Sequence, residues 1–191
     1  MLLRMTPRAQ APTLYRRAMA HRIAIILVLT AAAPAAAEPA TSLQPQVQLD
    51  FGLAVVGLGY EHPIAARLAL QLEGQIFGTY FLPWFDAGER ATGFGAELRA
   101  TWFARPSGHG LYVLAYSRLD AVELERDDLR ADATAVSAGA AVGWSFRLTR
   151  RLDLRVGLGA QYIYMRADAQ GTRLGASTPF PTVDGVLGYR L

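Results

Sequence analysis

From Val136 the even positions of the chain read Val136, Ala138, Ala140, Val142, Trp144, Phe146 and Leu148. The odd positions between them are Ser137, Gly139, Ala141, Gly143, Ser145 and Arg147. Successive side chains of a strand point to opposite faces, so this segment has one apolar face and one small or polar face. The pattern returns at Leu152, Leu154, Val156, Leu158, Ala160, Tyr162 and Tyr164, interleaved with Asp153, Arg155, Gly157, Gly159 and Gln161. Strands of about 10 residues with this alternation, separated by turn residues, are the signature of an antiparallel transmembrane β-barrel.

Five more strands are legible. The first is expected from about Gln46 to Tyr60, with Val47, Leu49, Phe51, Leu53 and Val55 on one face. The second, Ile64 to Phe77, places Ile64, Ala66, Leu68, Leu70, Leu72 and Ile76 outward, and Arg67, Gln71, Glu73 and Gln75 inward. The third, about Ala91 to Ala104, sets Phe94, Ala96, Leu98, Ala100 and Trp102 against Gly93, Gly95, Glu97, Arg99 and Thr101. In the fourth, Leu111 to about Glu123, both faces are apolar; an inward Arg118 puts Tyr112 and Tyr116 in the lumen. The last, about Phe180 to Leu191, turns Val183, Leu187, Tyr189 and Leu191 outward.

Short connections (Glu61-His62-Pro63, Arg105 to Gly110, Thr149-Arg150-Arg151) alternate with long ones (Thr79 to Arg90, Leu124 to Asp132, Met165 to Thr178). Short turns belong to the periplasmic side and long loops to the outside. By that parity the Gln46 to Tyr60 strand lacks an N-terminal partner, and an open edge in hydrocarbon leaves backbone groups unsatisfied. A bend near Asp50-Phe51-Gly52 repairs this, making Ser42 to Leu49 a short first strand and Gly52 to Glu61 the second. The expected architecture is all-β, an antiparallel up-and-down barrel of eight strands.

The N-terminus is expected to be an export signal over residues 1–37, with the barrel domain at 38–191. Arg4, Arg8, Arg16, Arg17 and Arg22 precede a short apolar run, Ile23 to Thr30, followed by Ala35-Ala36-Ala37 before Glu38. That run is too short to span a membrane as a helix. Translation from Met19 would give an ordinary signal layout. All 16 acidic residues lie at or after Glu38, and five of the 19 Lys+Arg residues precede it, leaving 14 cations against 16 anions, a net charge of −2. The full-chain pI near 9.5 therefore belongs to the leader, and no basic surface argues for nucleic acid. The chain has no cysteine, so neither disulfides nor a lipidated N-terminal cysteine is available.

The chain resembles a group of small outer-membrane β-barrel proteins. The likeness rests on Gly57-Leu58-Gly59-Tyr60-Glu61, Gly110-Leu111-Tyr112-Val113, Arg151-Leu152-Asp153-Leu154, Pro179-Phe180-Pro181-Thr182 and Gly188-Tyr189-Arg190-Leu191. More distantly it is similar to the OmpX, Ail and OmpA transmembrane-barrel class of Gram-negative outer membranes. The resemblance implies a C-terminal strand read by the barrel-assembly machinery, usually ending in Phe. Here Leu191 stands in that place and Tyr189 is retained. Its implied partners are outer-membrane lipid, the assembly machinery and periplasmic chaperones.

Catalytic readings find little support. His62 and His109 fall in expected periplasmic turns, and no spacing places a serine nucleophile within reach of either. Without Cys or paired His there is no metal site of recognisable spacing, and no cofactor is expected. Gly93-x-Gly95 and Gly157-x-Gly159 lie inside strands, where slim residues accommodate bulky ones across the lumen. Arg67, Glu73, Glu97, Arg99, Arg118, Arg147, Asp153, Arg155, Asp184 and Arg190 are all expected inward, as an ion-pair network filling a narrow lumen. Tyr80, Phe81, Leu82, Pro83, Trp84 and Phe85 form either an interfacial aromatic girdle or a surface patch. The function expected is structural or surface-interacting, without catalysis. The alternatives are a soluble periplasmic lipocalin-like barrel and a narrow solute or ion channel.

Overall fold

In the computed structural model, residues 42–78, 89–126, 129–169 and 172–191 are described, all within the unit Ala35–Leu191. Residues 1–37, expected to be an export signal, and the Tyr80 to Phe85 cluster lie outside them. Eight strands follow in chain order: β1 (Gln46–Phe51), β2 (Val55–Ala65), β3 (Leu68–Gly78), β4 (Glu89–Phe103), β5 (Gly110–Arg126), β6 (Leu129–Arg147), β7 (Leu152–Ala169) and β8 (Thr172–Arg190). Each pairs antiparallel with its sequence neighbours, and β1 closes on β8 from Gln46 opposite Arg190 to Asp50 opposite Val186. The barrel is closed, as a spanning sheet must be to satisfy its backbone.

Three expectations need correction. The Gln46 to Tyr60 strand is two strands, as the repair required. Residues 52–54 make the turn, and Gly52 N donates to Val55 O at 2.9 Å. Val55 is consequently buried, because the turn reverses the parity that kept Val47, Leu49 and Phe51 outward. Second, Glu61, His62 and Pro63 belong to β2, and the turn falls at Ala66-Arg67. Pro63 is accommodated by a register irregularity between Pro63 and Ala65. Third, two expected outer loops are ladder: Glu123 pairs with Asp132, and Met165 with Ala176. Strand pairing satisfies backbone groups that an open loop would leave to water.

The β4–β5 and β6–β7 turns use local chemistry. Gly108 and Gly110 take φ of +76° and +80°, a region costly for residues with a Cβ. The hydroxyl of Thr149 accepts from Arg151 N at 3.2 Å and from Leu152 N at 3.0 Å, closing the β6–β7 turn.

Strand length is uneven around the barrel. Above Val186, no described residue of β1 pairs with β8. Leu191 N donates to Pro45 O and Arg190 N to Arg151 O, so the odd positions of β8 aim their backbone groups toward β1. The β7–β8 register runs without a slip, which places Pro179 and Pro181 on that open edge. Proline has no N–H, so two donors are absent where no described residue offers a ladder partner. These prolines blunt the edge against pairing with another chain.

The distribution of polarity is inverted relative to a water-soluble domain. Leu58, Leu72, Phe94, Leu98, Leu119, Val142 and Leu158 all face out and are more than half exposed. From Leu152 to Tyr164 the outward positions of β7 carry no charge, and those of β4 and β6 are uncharged from Thr92 to Trp102 and from Thr134 to Phe146. Buried positions instead hold Gln46, Gln48, Asp50, Glu61, Glu73, Glu97, Arg99, Asp153 and Arg155. This is the architecture of a transmembrane barrel, apolar against lipid and polar within.

Candidate functional site

Side chains from all eight strands meet in the lumen, and they sort into three layers. Toward the turns, Arg155 makes a two-pronged pair with Glu61, both bonds at 2.7 Å, and its guanidinium lies 4.8 Å from the Phe103 ring centroid. Beside it Arg190 donates to both oxygens of Asp153 at 2.7 and 2.9 Å, and Gln46 Nε2 adds a third bond at 2.9 Å. Arg147, at the mouth, stands 4.0 Å from Asp153.

Arg99 organises the middle layer. It donates to Glu97 at 2.7 Å, to Asp184 at 2.9 Å and to Asp50. The Tyr112 hydroxyl donates to the second oxygen of Asp184, and Arg118 donates to the second oxygen of Glu97. Arg118 also lies 4.2 Å from the Tyr116 ring centroid. Glu73 receives Gln71 Nε2 at 2.6 Å. One carboxylate oxygen from each of Asp50, Glu73 and Glu97 lies within 4.8 Å of the others.

Above these, Gln75 Nε2 donates to Asp120 at 2.7 Å, and the interior then becomes apolar through Ala91, Val122, Leu124, Ala135, Met165 and Ala167. A cavity of about 20 Å3 remains at the boundary, between Leu53, Val55 and Phe77 on one side and Arg118, Gln161 and Thr182 on the other. Small-molecule sites occupy roughly 300–1,000 Å3, so this space is no ligand pocket of that kind.

Of the ten charged residues expected inward, Glu73, Glu97, Arg99, Arg118, Asp153, Arg155, Asp184 and Arg190 are buried in the lumen and Arg147 is half-buried at its mouth. Arg67 is the exception: it is exposed in the β2–β3 turn, because the chain reverses later than expected, with β3 opening at Leu68 instead of Ile64. Asp50, Glu61 and Asp120 were not in the expected set yet are buried there. Asp120 shares the parity of Arg118, and Asp50 that of Gln48, so alternation alone could have found both. Glu61 was hidden by its assignment to a turn.

Of the paired glycines expected to make room across the lumen, Gly157 lies against the Tyr112 hydroxyl, whereas a Cβ on Gly93 or Gly159 would first meet the backbone of a neighbouring strand. A Cβ on Gly139 would stand 2.7 Å from the Tyr116 ring, and one on Gly143 would overlap the Tyr112 hydroxyl. His62 lies on the outer face of β2, not in a turn, and shares a 3.2 Å contact with the Tyr60 hydroxyl. His109 does lie in a turn; burial and the nearby Arg147 guanidinium push its pKa below the usual histidine value. Its Nε2 has no partner, and no described serine or carboxylate is hydrogen-bonded to either ring.

Tyr189 and Leu191 lie near the end of β8. Both are exposed on the outer face at the turn-bearing rim, with Arg151 donating to the Tyr189 hydroxyl at 3.0 Å. A charge at such a rim position costs only about 0–1 kcal/mol of folded stability. A large defect would therefore have to be kinetic, arising in recognition. We expect Leu191→Phe to assemble at least as well as the parent, and Tyr189→Asp combined with Leu191→Asp to accumulate unfolded in the periplasm. Protease resistance in cells measures this, and normal insertion of the double variant would remove these residues from any assembly signal.

No family model matches the chain, and no curated protein does. Among solved structures it is similar to the N-terminal β-barrel domain of Pseudomonas aeruginosa OprF, at 16% identity and a TM-score of 0.43, covering 80% of this chain and all of that one. It is also similar to Neisserial surface protein A, at 13% identity and a TM-score of 0.45, covering 78% of this chain and 95% of that one.

Proposed function

We propose that the chain is an integral outer-membrane barrel with a structural or surface-interaction role, closed by its own side chains and without catalysis. The observation that carries this reading is the inverted polarity: an uncharged apolar wall around a lumen of ion pairs. A soluble lipocalin-like barrel would need the reverse, with its apolar face turned inward around a ligand. Among the described residues the ion-paired lower and middle layers and the apolar upper interior equally disfavour an open solute path.

Surface contacts belong to the upper hairpins. There Arg130 pairs with Glu125 at 3.0 Å and Glu123 at 3.7 Å, both exposed. The decisive experiment is fractionation of cells, with heat-modifiable migration of the recovered protein on a gel. Outer-membrane recovery with a heat-dependent shift supports the reading, and a freely soluble periplasmic protein overturns it. Steady conductance in a planar bilayer would instead favour the channel alternative.

A further inference from the structure

We propose that the middle of the lumen is a binding site for one divalent, oxygen-preferring cation of the calcium or magnesium type, held by Asp50, Glu73 and Glu97. Glu73 and Glu97 are direct cross-strand partners on β3 and β4, and Asp50 joins them from β1, two strands away from β3. Their ligand oxygens lie within 4.8 Å of one another. Three oxygens no farther apart than this leave a common centre at most about 2.8 Å from each, a few tenths of an ångström beyond the calcium–oxygen range of roughly 2.3–2.6 Å.

Glu73 is the independent observation. It is only 2% exposed, and one of its oxygens has no partner. No guanidinium forms an ion pair with it, although Arg99 and Arg118 each hold its neighbours. A carboxylate buried without a counter-charge is strongly unfavourable, so something must compensate it.

The charge balance agrees. Asp50, Glu73, Glu97 and Asp184 put four carboxylates in this layer against the guanidiniums of Arg99 and Arg118. Two positive charges would make it neutral. Gln71, whose Nε2 donates to Glu73, leaves its Oε1 as a buried acceptor without a donor beside the site. A cation, or its bound water, satisfies acceptors of this kind. Every available ligand is an oxygen, which selects a hard ion over zinc or copper. Opposite Glu73, a Cβ on Gly57 would overlap the carboxylate, so the wall is cleared at the point where Glu73 lies.

The test uses the whole barrel refolded in detergent, stripped with chelator and titrated separately with calcium, magnesium and terbium; it requires no membrane location and so stands or falls apart from the proposed function. Terbium emission sensitised by the lumen tyrosines should saturate at one site and be displaced by calcium. Calcium should also raise the unfolding temperature. Glu73→Gln should weaken binding by about tenfold or more, whereas Glu123→Gln with Glu125→Gln should not change it. If Glu73→Gln does not fold, Glu73→Asp should fold and bind more weakly, its shorter arm drawing the oxygen away. Absence of saturable binding overturns the proposal. So does binding that survives Glu73→Gln and disappears in the Glu123/Glu125 variant. A Glu73→Gln barrel that is more stable in chelator, from a parent insensitive to all three ions, would show that a proton alone compensates Glu73.

Discussion

Arg99→Met should destabilise the barrel by about 3–5 kcal/mol or more, measured by urea unfolding of the refolded protein in lipid vesicles with chelator present. The size follows from what remains behind. The Arg99 guanidinium holds Asp50, Glu97 and Asp184, and all four residues are buried. Arg118 continues to hold Glu97, but Asp50 and Asp184 lose their ionic partner, leaving Asp184 with the Tyr112 hydroxyl. The cost is that of uncompensated buried charge, not of a lost attraction. The triple variant Arg99→Met, Asp50→Asn, Asp184→Asn should therefore recover most of the loss. A loss below about 1 kcal/mol for the single variant, the scale of solvent-exposed pairs, would refute this account of the middle layer.

Leu158→Arg should cost about 2–4 kcal/mol in vesicles, the depth-dependent penalty for a cation on the lipid face near the midplane. Leu158 is 67% exposed and lies midway along the uncharged outer face of β7, between Leu152 and Tyr164. In a barrel surrounded by water the same change would stay within about 0.5 kcal/mol, as surface substitutions generally do. The substitution thus reads the medium around the wall directly. Glu123→Arg, on the projecting β5–β6 hairpin, is the matched control and should be nearly neutral in stability. Equal, small effects at both positions would place Leu158 in water and remove the membrane reading.

Alternation was enough to assign lumen and wall for most of β3 to β8. A period of two survives any tilt or curvature of the sheet, because it is set by the backbone itself. Arg118 shows how far this goes: one charged residue oriented β5 correctly and brought Tyr112 and Tyr116 into the lumen with it. The same rule failed where the chain turned without a strong turn signal. Residues 52–54 reverse direction on Gly52-Leu53-Ala54, which reads as continuing strand, and only the need to pair every edge exposed the break. Pro63 misled in the other direction. Proline ordinarily interrupts a central strand, yet a local irregularity carried β2 two residues past it, and Arg67 moved from lumen to turn in consequence.

The class of structure and the direction of its polarity were legible in the chain alone, since both depend on residues close together in one strand. Which charges meet depends on contacts between distant strands. Asp50 and Asp184 reach Arg99 from β1 and β8, Glu61 reaches Arg155 from β2, and Gln46 reaches Asp153 across 107 residues of chain. Those partnerships are fixed by register and by closure of β1 on β8, both of which are sums over every turn and irregularity around the barrel. A two-residue error in one turn moves a partner along its strand without altering the alternation, and so leaves no trace in the pattern from which the strands were read.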